Sequence, residues 1–331
     1  MDFEEGKRYR TFTGYYKRLY GERLQKLVID AGFSCPNRDG TIGFGGCAYC
    51  DNAAFHPGYS TPGKSVTEQI DEGISFHRGR YPRVKRYLAY FQAYSNTYGT
   101  LEKMRRVYEE ALSHPAITGI VIGTRPDCVD DEKLDYLESL AKDKVVVVEY
   151  GIESCLDKTL LRINRGHDFA TARAAVEATS KRGIDVGAHF ILGLPGESRE
   201  EILSQCETIS SLPLLSVKFH QLQIVKGTRM EKEYAERPED FEKFGLDEYI
   251  DFMVDMLERL RPDLYIERIA GEVPPRFVNE TPWGLIRNPE LLHKLDKRLE
   301  ERDTFQGRLW KGWSFPRETG DESVNYHAYL P

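Results

Sequence analysis

The 331-residue chain contains no run of about 18 apolar residues, which excludes a membrane-spanning helix. Its opening, MDFEEGKRYR, lacks the apolar core of a secretory signal, so a cytoplasmic location is expected. Cysteine is sparse: six residues are too few for a disulfide scaffold in a chain of this length, and cytosolic thiols stay reduced. Low-complexity segments and simple repeats are missing. A net charge of −7 excludes a surface that is basic throughout, although 46 Lys and Arg residues still have to sit somewhere. Acid is absent from residues 73–101, which include HRGRYPRVKRY. Residues 7–26, KRYRTFTGYYKRLYGERLQK, also mix basic residues with Tyr and Phe. Each stretch reads either as a solvated face or as a surface on which a nucleic-acid strand pairs and stacks.

What is present is an alternation of strand and helix patterns. Apolar strand candidates lie at 26–33, 85–94, 117–123, 144–153, 185–194 and 215–225, with amphipathic stretches between them. Ser65, Thr100 and Ser198 stand where helix N-caps belong, and Gly183 where a helix ends. Near-continuous apolar strands imply parallel neighbours buried on both faces. Six such units fall short of the eight that close a full barrel. The expected fold is therefore an α/β partial (β/α)6 TIM-like barrel, with chemistry at the C-terminal ends of its strands. Three parts are expected: a basic and aromatic N-terminal segment at 1–25, the barrel at 26–228, and an α-rich C-terminal extension at 229–331 packed on it. The tail from Arg308 onward reads as irregular.

The loop after the first strand carries CPNRDGTIGFGGCAYC, with Cys35, Cys47 and Cys50 in a C-x11-C-x2-C spacing. A C-x2-C pair sets two thiolates on one metal or cluster, and the surrounding glycines let the backbone wrap closely. Two readings stand at this point. With His56 as a fourth ligand the loop would form a closed Cys3His zinc site, the mark of a non-catalytic binding protein. With three thiolates alone, a cubane cluster would keep one iron open.

The wider phrase AGFSCPNRDGTIGFGGCAYC resembles the radical S-adenosylmethionine (SAM) superfamily. It is most similar to the YhcC/YtqA-type bacterial branch, related to the Elongator catalytic subunit. The resemblance runs from residue 7 to about residue 290. It implies a [4Fe-4S] cluster on Cys35, Cys47 and Cys50, with SAM at the open iron and reductive cleavage to a 5′-deoxyadenosyl radical. It also implies an external electron donor such as flavodoxin or ferredoxin. SAM contacts are expected from Tyr49, from Gln92, Ser95 and Asn96 after the second strand, and from Arg125 after the third. Glu153 follows the fourth strand, and Ile191, Gly193 and Glu197 lie in the HFILGLPGE stretch. INRGHD also matches this branch and adds Arg165, with His167 beside it. Cys128 and Cys155 follow strands three and four and are candidates to give a hydrogen atom or thiolate to a substrate radical. The implied substrate is a tRNA base, with the C5 side chain of a wobble uridine foremost; a small molecule or protein is the alternative.

Overall fold

A computed structural model describes residues 3–281, 283–284 and 286–312. Seven parallel strands form one sheet in chain order: β1 (Gln25–Ile29), β2 (Tyr87–Phe91), β3 (Ile117–Thr124), β4 (Val145–Glu153), β5 (Asp185–Leu192), β6 (Ser216–Gln221) and β7 (Tyr265–Arg268). Six match the expected strands. The seventh lies inside the stretch expected to be a helical extension, and its four residues, YIER, are too short and too polar for a pattern. It forms because the edge of β6 is there to pair with: Ser216 faces Tyr265 and Val217 faces Ile266.

Helices cover the outer face. They are α1 (Phe12–Tyr20), α2 (Val66–Arg78), α3 (Leu101–Ser113), α4 (Asp131–Ala141), α5 (Asp157–Arg162), α6 (Phe169–Ser180), α7 (Arg199–Ser211), α8 (Arg229–Glu236), α9 (Leu246–Arg259) and α10 (Asn288–Glu301). The caps act where the sequence places them. Ser65 and Ser198 each close a reciprocal capping box, with Glu68 and Glu201, and Thr100 caps α3. The main core, with Ile120, Val148, Val186 and Phe219, lies between strands and helices. A smaller cluster of Phe12, Tyr16, Leu88, Val121, Val147 and Tyr265 plugs the barrel at the N-terminal ends of the strands.

That plug gives part of the basic and aromatic N-terminal segment a structural role. Ile266 N–H donates to the Arg10 carbonyl, and the Tyr15 ring lies 4.9 Å from that of Tyr265. Lys7 pairs with Asp296 at 2.6 Å and Arg8 with Asp303 at 3.0 Å. Aromatic burial and local acids thus use much of the segment to seal the barrel floor. Of the irregular tail, everything after Gly312 lies outside the described residues.

Candidate active site

The cysteine loop leaves the C-terminal end of β1 and is stitched to the chain after α5. Ala48 N–H donates to the Ile163 carbonyl (2.8 Å), and Asn164 Nδ2 donates to the Gly46 carbonyl (2.9 Å). Asn37 Nδ2 in turn donates to the Asn164 carbonyl at 2.6 Å. Nitrogen donors then face the sulfurs, those of Arg165 and Asn37 buried and that of Arg38 exposed. Arg165 Nη1 lies 3.4 Å and Asn37 Nδ2 3.6 Å from Cys47 Sγ, and Arg38 Nη1 lies 3.9 Å from Cys50 Sγ. Burial, and next the neighbouring Cys47, push the Cys50 thiol up to about 11. Thiols in this setting ionise when they gain a metal or cluster, and the guanidiniums are placed to offset the negative charge that results.

The strand ends around this loop carry polar atoms without partners. Arg125, 3% exposed, donates to Asp127 through Nε (2.8 Å) and Nη2 (2.7 Å), while its Nη1 is buried and unpaired. Arg165 Nε, His167 Nε2 and Asn37 Oδ1 are likewise buried without a partner. A side chain on Gly166 would meet Arg125 Nη2 at 3.2 Å and Asn37 Oδ1 at 3.3 Å, so these groups border one space. Burial first, and Arg165 next, lower the His167 pKa to about 4, leaving a neutral ring. Such unpaired buried donors are costly unless a ligand takes them.

The rim is also where the backbone departs from ordinary geometry. Glu153 (φ 75°), Asn164 (φ 54°) and Tyr94 (φ 59°) are left-handed, a conformation uncommon in residues other than glycine. Glu153 lies at a register shift between β4 and β5, with Oε1 3.7 Å from Arg165 Nη2. A side chain on Gly151 would strike Glu153 Oε1 at 2.5 Å and Arg165 Nη2 at 2.8 Å. A side chain at 151 would have to displace these two charged tips.

The structure brings many of the sequence candidates together and sets others apart. Tyr49 and Ile191 share an apolar cluster with Ala48, Leu194 and Met230. Gly193 is left-handed (φ 86°), and a side chain there would meet the Glu242 carbonyl at 3.0 Å. Gln92, half-buried, follows β2 at the rim. Ser95 and Asn96 are fully buried and serve the fold: Ser95 Oγ bonds Thr124 Oγ1 (2.9 Å), and Asn96 Nδ2 donates to the Phe91 and Gly123 carbonyls. Glu197 is held by Ser154 Oγ (2.5 Å) and Gln205, and burial raises its pKa. Cys128 lies near Cys35 and Ser95, its thiol pushed up to about 11 by burial. Cys155 is elsewhere: it accompanies Glu197 and Cys206, and its N–H donates to Gln205 Oε1 (2.7 Å).

Asn37 and Arg38 stand between the cysteines yet carried no signal as sulfur partners. Nor did the barrel interior one layer below. There Lys26 Nζ meets Glu149 (2.5 Å) and Glu267 (2.6 Å), and Lys218 Nζ meets Glu149 (2.5 Å), Glu267 (3.1 Å) and the Tyr90 hydroxyl (3.2 Å). His189 also bonds Glu149, at 3.0 Å, as a satisfied core histidine does.

The donor set suits an iron–sulfur cluster. Three thiols on one loop, attended by two guanidiniums and an amide, supply ligands at separate corners, and the unpaired donors beside them suit a polar ligand on a remaining corner. His56, the fourth ligand of the zinc reading, instead faces Asp30, with Nδ1 3.8 Å from Oδ2. Among the described residues no three His, Cys, Asp or Glu side chains are arranged as ligands of a single ion.

A half-barrel with such a three-cysteine loop at its C-terminal rim defines a class of radical enzymes, and sequence comparison assigns the family. The pattern of the Radical SAM superfamily matches residues 37–208, and that of the Radical_SAM C-terminal domain matches residues 215–301. Protein YhcC of Escherichia coli strain K12 is 37% identical over 309 residues, 93% of this chain and 97% of YhcC. A tRNA uridine(34) acetyltransferase of Dehalococcoides mccartyi is 23% identical over 184 residues, 55% of this chain and 39% of that protein. Among solved structures, the Elp3 of the archaeon Methanocaldococcus infernus shares the fold, with a TM-score of 0.64 at 14% identity. The match covers 86% of this chain but only 64% of that one. The chain belongs to the radical SAM superfamily, whose cofactors are a [4Fe-4S] cluster and SAM. Among the described residues no helix is long and apolar enough to cross a membrane.

Proposed function

We propose that this enzyme uses SAM-derived radical chemistry to modify a tRNA base, with the C5 side chain of a wobble uridine as the foremost target. The observation that carries the tRNA assignment is the shared stretch with a relative named as a tRNA uridine(34) acetyltransferase. The fold shared with Elp3 is consistent with it.

In this reading Cys35, Cys47 and Cys50 hold the cluster. When bound, cluster and SAM together supply a 5′-deoxyadenosyl radical that abstracts a hydrogen atom. The chain's own residues bind and orient. The unpaired Nη1 of Arg125 and Nε of Arg165 would take the SAM carboxylate, and Glu153 would accept from the ribose hydroxyls. Tyr49 and Ile191 give the adenine an apolar wall, and the glycine backbone at Gly193 lets it approach closely. Ser95, Asn96 and Glu197 hold the loops that present these groups. Cys128, buried just after β3 with its Sγ 3.9 Å from Asp127 Oδ1, and Cys155 are the two candidate hydrogen donors. Electrons come from an external flavodoxin or ferredoxin.

Mass spectrometry of tRNA nucleosides from cells with and without the protein tests this directly. One modified uridine should vanish and a precursor accumulate. An unchanged nucleoside profile would sink the tRNA assignment and favour a small-molecule or protein substrate.

A further inference from the structure

The acid-free stretch around Arg80 lies at the end of the barrel opposite the cysteine loop. It joins the C-terminus of α2 to the start of β2, and Arg23 joins it from the residues just before β1. The Gln25 N–H donates to the Arg86 carbonyl, which holds the starts of β1 and β2 side by side.

Aromatic rings and cations alternate across this face. The Arg23 guanidinium lies 4.4 Å over the Tyr81 ring, and that of Arg80 lies 5.5 Å from it. The His77 ring stacks on Tyr81 (6.0 Å, 28°), and Phe76, 64% exposed, meets His77 edge-on at 5.2 Å. Arg78, Arg80, Arg83 and Lys85 are exposed, and none has a carboxylate partner among the described residues. Arg86 is the exception, pairing with Glu22 at 3.3 Å. Burial first, then Arg23 and Arg80, lower the His77 pKa, which keeps its ring neutral as a stacking surface. In a chain of net charge −7, so many unpaired cations beside the exposed Phe76 ring match a ligand that is both polyanionic and aromatic.

The distance selects among such ligands. The 13 residues of α2 span about 20 Å between this face and the rim. A nucleoside or small acid cannot touch both ends, and a folded RNA can. An acidic electron-transfer protein gains little by docking at the end remote from the cluster. We propose that this basic, aromatic face is a second tRNA contact, gripping backbone and stacked bases far from the nucleotide that reacts at the rim. The proposal rests on the tRNA assignment above.

The test uses the full chain with its cluster reconstituted and bulk tRNA as probe, with binding measured from roughly 50 to 200 mM salt. The triple variant Arg80→Glu, Arg83→Glu, Lys85→Glu should bind at least about tenfold more weakly, with a log–log salt slope shallower by roughly 2. Phe76→Ala should cost about tenfold through lost stacking. Both should cleave SAM in the absence of tRNA as the unaltered protein does, which shows that they fold. Replacing Arg80 and Arg83 by Lys should restore most of the binding. Variants that bind tRNA as tightly as the parent overturn the proposal. So does a triple variant that keeps tRNA binding but is no longer reduced by an acidic flavodoxin. If the unaltered protein shows no salt-sensitive tRNA binding, the tRNA assignment itself fails and this proposal falls with it.

Discussion

In the middle of the barrel Lys26, Lys218, Glu149 and Glu267 neutralise one another, whereas one layer higher Arg125 and Arg165 each keep a nitrogen with no partner. Both layers are buried, so burial alone does not separate structure from function. The difference lies in what is left over. The middle layer joins strands β1, β4, β6 and β7 through mutual ion pairs in which Glu267 Oε2 is an acceptor left without a partner, and such a network holds the strands at fixed distances. The rim instead gathers three thiols, left-handed residues that store backbone strain, and unpaired donors that cost stability unless a ligand takes them up.

Glu149→Gln breaks the comparison from the structural side and should have the largest effect. It leaves Lys26 and Lys218 with Glu267 as their only carboxylate, at a cost of roughly 3–5 kcal/mol by denaturant unfolding. The sign with pH follows from the titration of this carboxyl. Burial by itself would raise its pKa, but Lys218, Lys26 and His189 outweigh that and hold it well below the usual range. The stabilisation is therefore complete above about pH 4.3, the pKa of an ordinary glutamate, and is lost as pH falls through the lower folded value. The gap in Tm between parent and variant should stay level from neutral pH down to that point and then close. A gap that widens on acidification would refute the assignment.

Arg165→Leu probes the other layer. It removes the donors to Cys47 Sγ and to the Gly151 carbonyl and the partner of Glu153, so it should lower Tm less than Glu149→Gln does yet weaken cluster retention or SAM cleavage by about 10–100-fold. Iron content after gel filtration and 5′-deoxyadenosine yield give the two readouts. A variant with a much lower Tm but intact cluster chemistry would place Arg165 in the structural layer instead.

Glu153→Gly sharpens the comparison at the smallest scale. Glycine removes the left-handed strain, so stability should rise by about 1 kcal/mol while SAM binding falls. Lower stability would show that the Glu153–Arg165 contact outweighs the strain.

The two layers were not equally visible in the amino-acid order. The cysteine spacing, the six long strands and the caps at Ser65, Thr100 and Ser198 are local patterns, and the structure repeats them closely. Arg125, Glu153 and Gly193 could be placed at the rim because residues just after a parallel strand point there. The ion network could not be read, because its members are single charges in otherwise apolar strands, up to 241 residues apart. The β7 strand, the sealing of the floor by residues 9–16 and the separation of Cys155 from the cluster loop were equally hidden.

Sequence alone settled the features that spacing along the chain dictates: strand period, helix caps, and three thiols in a C-x11-C-x2-C spacing on one loop. Tertiary structure decided whatever depends on which distant residues become neighbours. It turned Arg165 and Asn37 toward Cys47, used the first basic segment as a plug, and left the second exposed at the far end of the barrel. The physical reason is that charge and hydrogen-bond balance are properties of a place in the fold, and many residues that share a place share no stretch of chain.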